Sequence, residues 1–178
     1  MRCAVRIRYA KDYPATLLGH LDIMALMQRG MRASGWPLEF TRGFNPRIKL
    51  SSSPPLSLGF SSECEYIDVS LRTGLSTYRM GLFSRSLIEG ITVRDIYPLP
   101  AGDPGINNLI SGYRYLVEDC GEEPDSGEFS GGRVFRDGDE YYLDLFKTGG
   151  NIPNPAKVFP GTARGFRKIK TFMEDSVS

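Results

Sequence analysis

Residues 64–72 read CEYIDVSLR, and their alternation decides the fold. Ile67, Val69 and Leu71 fall on one side of an extended chain. Tyr66, Asp68 and Ser70 fall on the other, which is the period of a half-buried strand. On the C-terminal side, LSTYRMGLFSRSLIEG (75–90) reads as a helix, with Leu75, Tyr78, Leu82, Phe83 and Leu87 as its expected buried face. ITVRDIYPL (91–99) follows as a strand. On the N-terminal side, WPLEF (36–40) is a short strand, and GHLDIMALMQRGMRASG (19–35) is a helix with the stripe Ile23, Met24, Met27 and Met31. CAVRIRYA (3–10) alternates Cys3, Val5, Ile7 and Tyr9 against Ala4, Arg6 and Arg8. The order is strand, helix, strand, loop, strand, helix, strand. Two βαβ units of this kind predict an α+β fold: a ferredoxin-like βαββαβ sandwich over 1–100, with a four-stranded antiparallel sheet and helices near 19–34 and 75–89 on one face. Arg6, Arg8, Tyr66 and Asp68 are expected to line the other face.

The remaining residues, 101–178, predict a smaller and less regular α+β region that packs on the first unit or continues it as one domain. GYRYLVED (112–119) is a strand. RVFRDGDEYYLDLF (133–146) is a hairpin, with Asp137-Gly138 as its turn. NPAKVF (154–159) is a short helix with Pro155 in its first turn, and RGFRKIKTFM (164–173) is a basic final strand or an extended tail. EDCGEEPDSGE (118–128) carries six acids and no base, so 119–132 is expected to be the most mobile internal segment.

Composition excludes several classes. The 178 residues suffice for one domain with a proper core or two small ones, and the net charge of +1 gives no argument for nucleic acid. No apolar run approaches the about 18 residues of a membrane span, and no signal-peptide pattern opens the chain. A cytoplasmic protein is expected, with no membrane and no cofactor. The three cysteines, Cys3, Cys64 and Cys120, have no metal-ligand spacing and are expected to be buried, reduced thiols.

Chemistry is concentrated in few places. His20, the only histidine, opens the first helix two residues before Asp22. The pair could serve as general acid and base, or Asp22 could meet the positive end of the helix dipole. The loop TRGFNPRIKLSSSPPLSLG (41–59) carries Arg42, Arg47 and Lys49 and no acid. Gly43, Asn45 and Pro46 shape a tight turn whose N–H groups and flanking cations could seat a phosphate. Arg29 and Arg32 on the preceding helix are expected to converge on the same surface as Arg42, Asn45 and Lys49, with His20 and Asp22 at its margin. Glu63, Glu65 and Asp68 cannot all converge from one strand, so salt bridges to Arg42 or Arg47 are expected rather than a metal site.

These blocks together resemble the signature of the radical-SAM-linked protein family, an uncharacterised bacterial domain. The likeness runs over residues 1–75: a GHLD turn, an Arg-bearing helix, a GFNP turn with a basic strand, a PLSLG segment and an EYID strand. Its motif positions here are His20, Asp22, Arg29, Arg32, Gly43, Asn45, Pro46, Lys49, Gly59, Glu65 and Asp68. The chain departs from the pattern at Gly19, where serine is frequent, and at Arg47-Ile48-Lys49, where a second proline is common. In that family the domain stands alone or is fused behind a cobalamin-type radical SAM enzyme. The resemblance implies a partner or substrate-presenting role beside such an enzyme, and a connection to RNA and translation.

The chain lacks a radical SAM cysteine set and cannot perform that chemistry itself. The favoured expectation is a module that binds RNA, either tRNA or rRNA, for a radical SAM partner, with phosphates on the basic loop and Phe44 stacking on bases. The alternative is a small enzyme acting on a phosphorylated or carboxylated small molecule through His20 and Asp22.

Overall fold

The computed structural model describes residues 3–120, 124, 126–159 and 163–173. The fold is mixed α+β and is dominated by one nine-stranded sheet. Strands β1 (Cys3–Lys11), β3 (Ser61–Leu71) and β4 (Ile91–Pro98) lie in the order β4-β1-β3, and β2 (Leu50–Ser52) pairs with β3. The sheet then continues through β9 (Ala163–Met173), β5 (Ile110–Cys120), β8 (Glu140–Phe146), β7 (Gly132–Asp137) and β6 (Gly127–Phe129). The sheet is larger than the four antiparallel strands expected over 1–100: β1, β3 and β4 lie where the alternation places them, but 36–40 contributes only the single bridges of Leu38 to Leu71 and Phe40 to Ile48, and the short strand beside β3 is Leu50–Ser52. The pairing of β3 with β9 is parallel and covers only Ser61↔Arg167 and Ser62↔Lys168.

β3 is the hub. One edge pairs with β1 along most of its length, from Cys3↔Leu71 to Lys11↔Ser62. The other edge is shared in sequence: β9 takes its start, Ser53 takes Tyr66, β2 takes Ile67 to Val69, and Leu38 bridges Leu71. Alternate side chains of β3 enter different apolar clusters. Ile67, Val69 and Leu71 join Val5, Ile7 and Tyr9 of β1 beneath the helices α1 (His20–Ala33) and α2 (Thr77–Arg85). Cys64 and Tyr66 join Tyr113, Tyr115, Val117, Leu143, Leu145 and Phe166 in the second half.

The stripe Ile23, Met24, Met27 and Met31 of α1 is buried as its spacing requires. The expected face of α2 is only partly so. Phe83 is fully buried and Leu75 and Leu87 pack beside it, but Tyr78 is 74 % exposed and Leu82 is also exposed. α2 is short and buries one side chain, Phe83. At Gly30 of α1 a Cβ would sit 3.2 Å from the Phe83 ring and 2.8 Å from Ser86 Oγ, so glycine permits the close approach.

In the second half the hairpin turn is displaced by one residue. Asp137 pairs with Glu140, so Gly138-Asp139 forms the two-residue loop, with Gly138 at φ 61°. The short helix α4 (Pro155–Val158) begins after Asn154, whose Oδ1 accepts from Ala156 N–H at 3.0 Å. The acidic stretch expected to be mobile includes residues 121–123 and 125, outside the described residues; Gly127–Phe129 is strand. Of the cysteines only Cys64 is buried, while Cys3 and Cys120 are half-buried. Among the described residues no helix is long and apolar enough to cross a membrane.

The junction of β3 with β9 carries a buried ion pair. Lys168 of β9 is 1 % exposed and its Nζ meets Glu65 of β3, itself buried. Ser53 Oγ donates to Glu65 Oε2 at 3.1 Å, and the ammonium lies 3.9 Å from the centre of the Tyr113 ring. Removing one partner of such a pair strands the other charge. Lys168→Met should therefore cost about 3–5 kcal/mol. The double variant Glu65→Met/Lys168→Met should be more stable than Lys168→Met alone. Urea denaturation of the three proteins checks this order, and a Lys168→Met protein as stable as wild type would show that the pair does not hold the junction.

Candidate functional site

The loop 41–59 is the return of a hairpin that rises from β3. Trp36 anchors its base, with Nε1 donating to Arg79 O at 3.2 Å and its ring 4.9 Å from Phe83. Above it Lys49 N to Glu39 O at 2.9 Å and Thr41 N to Arg47 O at 2.8 Å lace the two arms, and Glu39 N to Ser70 O at 3.0 Å ties the first arm to β3. Phe40 bridges Ile48. The Thr41 hydroxyl closes the tip by accepting from Arg47 N–H at 2.9 Å. Arg42, Gly43, Phe44, Asn45 and Pro46 form the tip, and all are exposed. Gly43 takes φ 130°, a conformation that L side chains rarely adopt. Phe44 is 101 % exposed.

The basic groups of the loop divide into two kinds. Lys49 is held in an ion pair with Glu39. Arg42 and Arg47 are exposed and have no ion-pair partner among the described residues. Arg47 and Lys49 line one cleft of about 470 Å³ together with Thr41, Ser51 and Gly105; Arg29, Arg32 and His20 do not line it. Arg29 and Arg32 stand on the exposed side of α1.

Arg6 was expected on an open sheet face. It is on that face but only 4 % exposed. Its Nε and Nη2 donate to the two carboxylate oxygens of Asp68 at 2.7 and 2.9 Å, and Nη2 also donates to Asp103 at 2.9 Å. Burial alone would lower its pKa; the Asp68 hydrogen bonds and the charges of Asp68 and Asp103 outweigh that and raise it. Asp68 further accepts from Ile106 N–H at 2.8 Å, so this network staples the 99–106 segment over the face. Arg6 is therefore structural. Arg8, partly exposed, faces Asp95 at 3.5 Å.

The carboxylates of β3 do form salt bridges, but not with Arg42 or Arg47. Glu63 pairs with Arg94, Glu65 with Lys168 and Asp68 with Arg6. Strand pairing brings Arg6 of β1 and Lys168 of β9 beside β3, and Arg94 reaches Glu63 from β4, across β1, whereas the hairpin carries Arg42 and Arg47 away from the sheet. Among the described residues no group of three or more His, Cys, Asp and Glu is arranged to hold a metal.

His20 and Asp22 have separate roles. Asp22 Oδ2 accepts from Gly19 N–H at 3.1 Å and so closes the start of α1. His20 points elsewhere: its Nε2 lies 3.4 Å from Ser52 Oγ. It borders a cavity of about 10 Å³ with Tyr9, Lys11 and Glu65, room for one water at most. Lys11 is buried and donates to Leu18 O at 2.9 Å. Ser52, Ser53, Lys11 and Lys168 were not legible as partners in the sequence. Serines in a turn-rich loop and lysines in basic strands read as solvated, and only the pairing of distant strands brings them to Glu65 and His20.

No curated protein matches the chain. The chain belongs to a family of uncharacterised proteins conserved in bacteria (DUF2344), whose model matches residues 4–134. The matched span contains the hairpin, the His20 junction and the whole of β3.

The environment of His20 makes a pH prediction. Burial lowers its pKa, Glu65 pulls it up, Lys11 pushes it down, and the net shift is downward. The unfolded chain then binds a proton more readily than the folded one. Stability is fully present above the unfolded value of about 6.5 and is lost as pH falls through the folded pKa. Because His20 is the only histidine, His20→Gln should flatten the dependence of the urea midpoint between pH 7.5 and 5.5. An unchanged slope would count against the burial of a neutral imidazole.

Proposed function

We propose that the protein is an RNA-binding module, for tRNA or rRNA, that presents its ligand to a radical SAM partner enzyme. One observation carries the binding part: Phe44 stands wholly exposed at the tip of a laced hairpin, between Arg42 and Arg47, whose charges are not spent on acids. Single-stranded RNA is held by stacking of bases on aromatic rings and by cations along the backbone, and this tip offers both. Gly43 and Asn45 supply backbone and amide donors beside the ring. Lys49 stays fixed through Glu39.

The partner enzyme rests on the resemblance of the GHLD, GFNP and EYID blocks. The unit that carries the tip is read as a ferredoxin-like half. Its support is the neighbour order β4-β1-β3-β2 and the single apolar cluster shared by α1 and α2. A cytoplasmic location accompanies RNA as the ligand.

A second reading, a small enzyme using His20, draws support from the contact of His20 with Ser52. Against it stand the size of the neighbouring cavity and the use of Asp22 at the helix start.

Fluorescence anisotropy with a labelled single-stranded oligoribonucleotide separates the readings. Phe44→Ala should weaken binding by about 1–3 kcal/mol, the value of one stacked base. Arg42→Glu and Arg47→Glu should weaken it and reduce the slope of log K against log salt by about 0.7 for each lost contact. His20→Ala should leave affinity unchanged. Wild-type protein that shows no salt-dependent binding would remove the RNA reading.

A further inference from the structure

The seam between the two halves of the sheet holds a second groove, of about 490 Å³, and no acidic residue lines it. Pro54, Pro55 and Ile152 supply apolar wall, and Asn107, Asn151 and Lys147 supply polar groups. The amides of Asn107 and Asn151 have no hydrogen-bond partner among the described residues. Lys147 Nζ reaches only the Asn107 carbonyl, at 3.4 Å.

These polar groups stand on rigid supports. Asn107 belongs to the one-turn helix α3 (Ile106–Leu109). That turn is pinned by Ile106 N–H on Asp68 and by Asn108 Nδ2 on Pro104 O at 2.7 Å. Asn151 follows Gly149-Gly150, at φ 58° and 87°, in a turn closed by reciprocal backbone bonds between Thr148 and Asn151 at 2.8 and 3.2 Å. Both glycines occupy the left-handed region that such a tight turn demands. Across the seam, Asn154 Nδ2 donates to Ser57 Oγ at 3.1 Å and ties the proline segment to the second half.

The chemistry of the groove selects its ligand. A carboxamide presents a donor and an acceptor side by side, the pattern that matches the edge of a nucleobase. Proline rings and Ile152 offer apolar surface to the face of a base, and Lys147 offers a cation to its phosphate. The cleft on the sheet's second face, of about 520 Å³, differs in its lining: Glu39, Asp68 and Asp103 stand there, each already bound to Lys49 or Arg6, so its charged groups are committed to the fold. Asn107 and Asn151 in the seam groove are not. The chain segment 47–55 also borders both this groove, through Pro54 and Pro55, and the cleft beneath the hairpin tip, through Arg47 and Ser51. A strand leaving the tip can follow that segment to the seam.

We propose that the seam groove is a nucleobase subsite, taking one unstacked base of a single-stranded RNA whose backbone crosses the hairpin tip. The inference rests on the RNA-binding reading and extends it from affinity to base recognition.

Two measurements on the full chain test it. In the first, anisotropy with a fluorescein-labelled single-stranded oligoribonucleotide compares wild type, Phe44→Ala and the double variant Asn107→Ala/Asn151→Ala. The double variant should bind about tenfold more weakly, the effect of losing one good base contact, with its thermal melting point unchanged. In the second, adenosine 5′-monophosphate is titrated while the side-chain amide NMR signals of Asn107 and Asn151 are followed; both should shift. If the oligonucleotide binds in a Phe44-dependent way but the double variant is unaffected and the amide signals stay fixed, the subsite is overturned and the RNA reading stands. If the amides shift while no oligonucleotide binds, the groove takes a free nucleotide only, and the RNA reading and the RNA base subsite are both overturned. Silence in both measurements overturns both.

Discussion

The ion pair between Glu65 and Lys168 sits where the two halves of the sheet have least to hold them together. β9 runs parallel to β3 over two residue pairs only, which is a short ladder for joining strands so far apart in sequence. Burying either charge alone would cost several kcal/mol, and the pair is tolerable only because further groups complete its shell. Ser53 donates to the carboxylate, and the Tyr113 ring faces the ammonium. The contact thus fastens β3 to β9 and, through Tyr113, to β5. It also fixes the segment that carries the candidate sites. Ser53 N–H donates to Tyr66 O at 2.9 Å and its hydroxyl accepts from Tyr66 N–H at 3.2 Å, so residues 47–55 are clipped to the hub strand at their far end.

A near-neutral chain can hide a strong division of labour among its cations. Arg6, Lys11 and Lys168 are all buried, and each is held by carboxylates or a carbonyl. The charges of Arg6 and Lys168 are neutralised locally and do not reach solvent. Arg42 and Arg47 stand free at the hairpin tip. Net charge counts both kinds equally, which is why composition gave no argument for a polyanionic ligand. What matters for such a ligand is the charge left uncommitted after the fold has used its share.

The same division marks what the sequence could and could not reveal. The alternation of β1 and β3 and the stripe of α1 are local periodicities, and they are found as read. The buried face of α2 was overread because Tyr78 and Leu82 have the right spacing but no surface to meet beyond Phe83. The insertion of β9 beside β3 had no local signal at all. A strand with Arg167, Lys168 and Lys170 reads as a solvated tail, and only its nonlocal register brings Lys168 to Glu65. The partners of Glu63, Glu65 and Asp68 failed in the same way. The strand face of each carboxylate was legible, but its partner lay on another strand. In the candidate site, the cationic turn and Phe44 were legible because turn chemistry is local; the seam groove was not, because it gathers residues from three separate segments.

The turn-rich sequence at 41–46 has a physical logic once its closure is seen. A loop of glycine, asparagine and proline usually costs conformational entropy when it orders on a ligand. Here Thr41 and Arg47 close the tip from both backbone and side chain, and Pro46 restricts the return arm. The ordering cost is met during folding, through the lacing of Glu39 and Lys49 onto Ser70 of β3. An exposed aromatic ring on such a support need not be immobilised by its ligand, so more of the stacking energy remains as affinity. That is the economy expected of a binding surface.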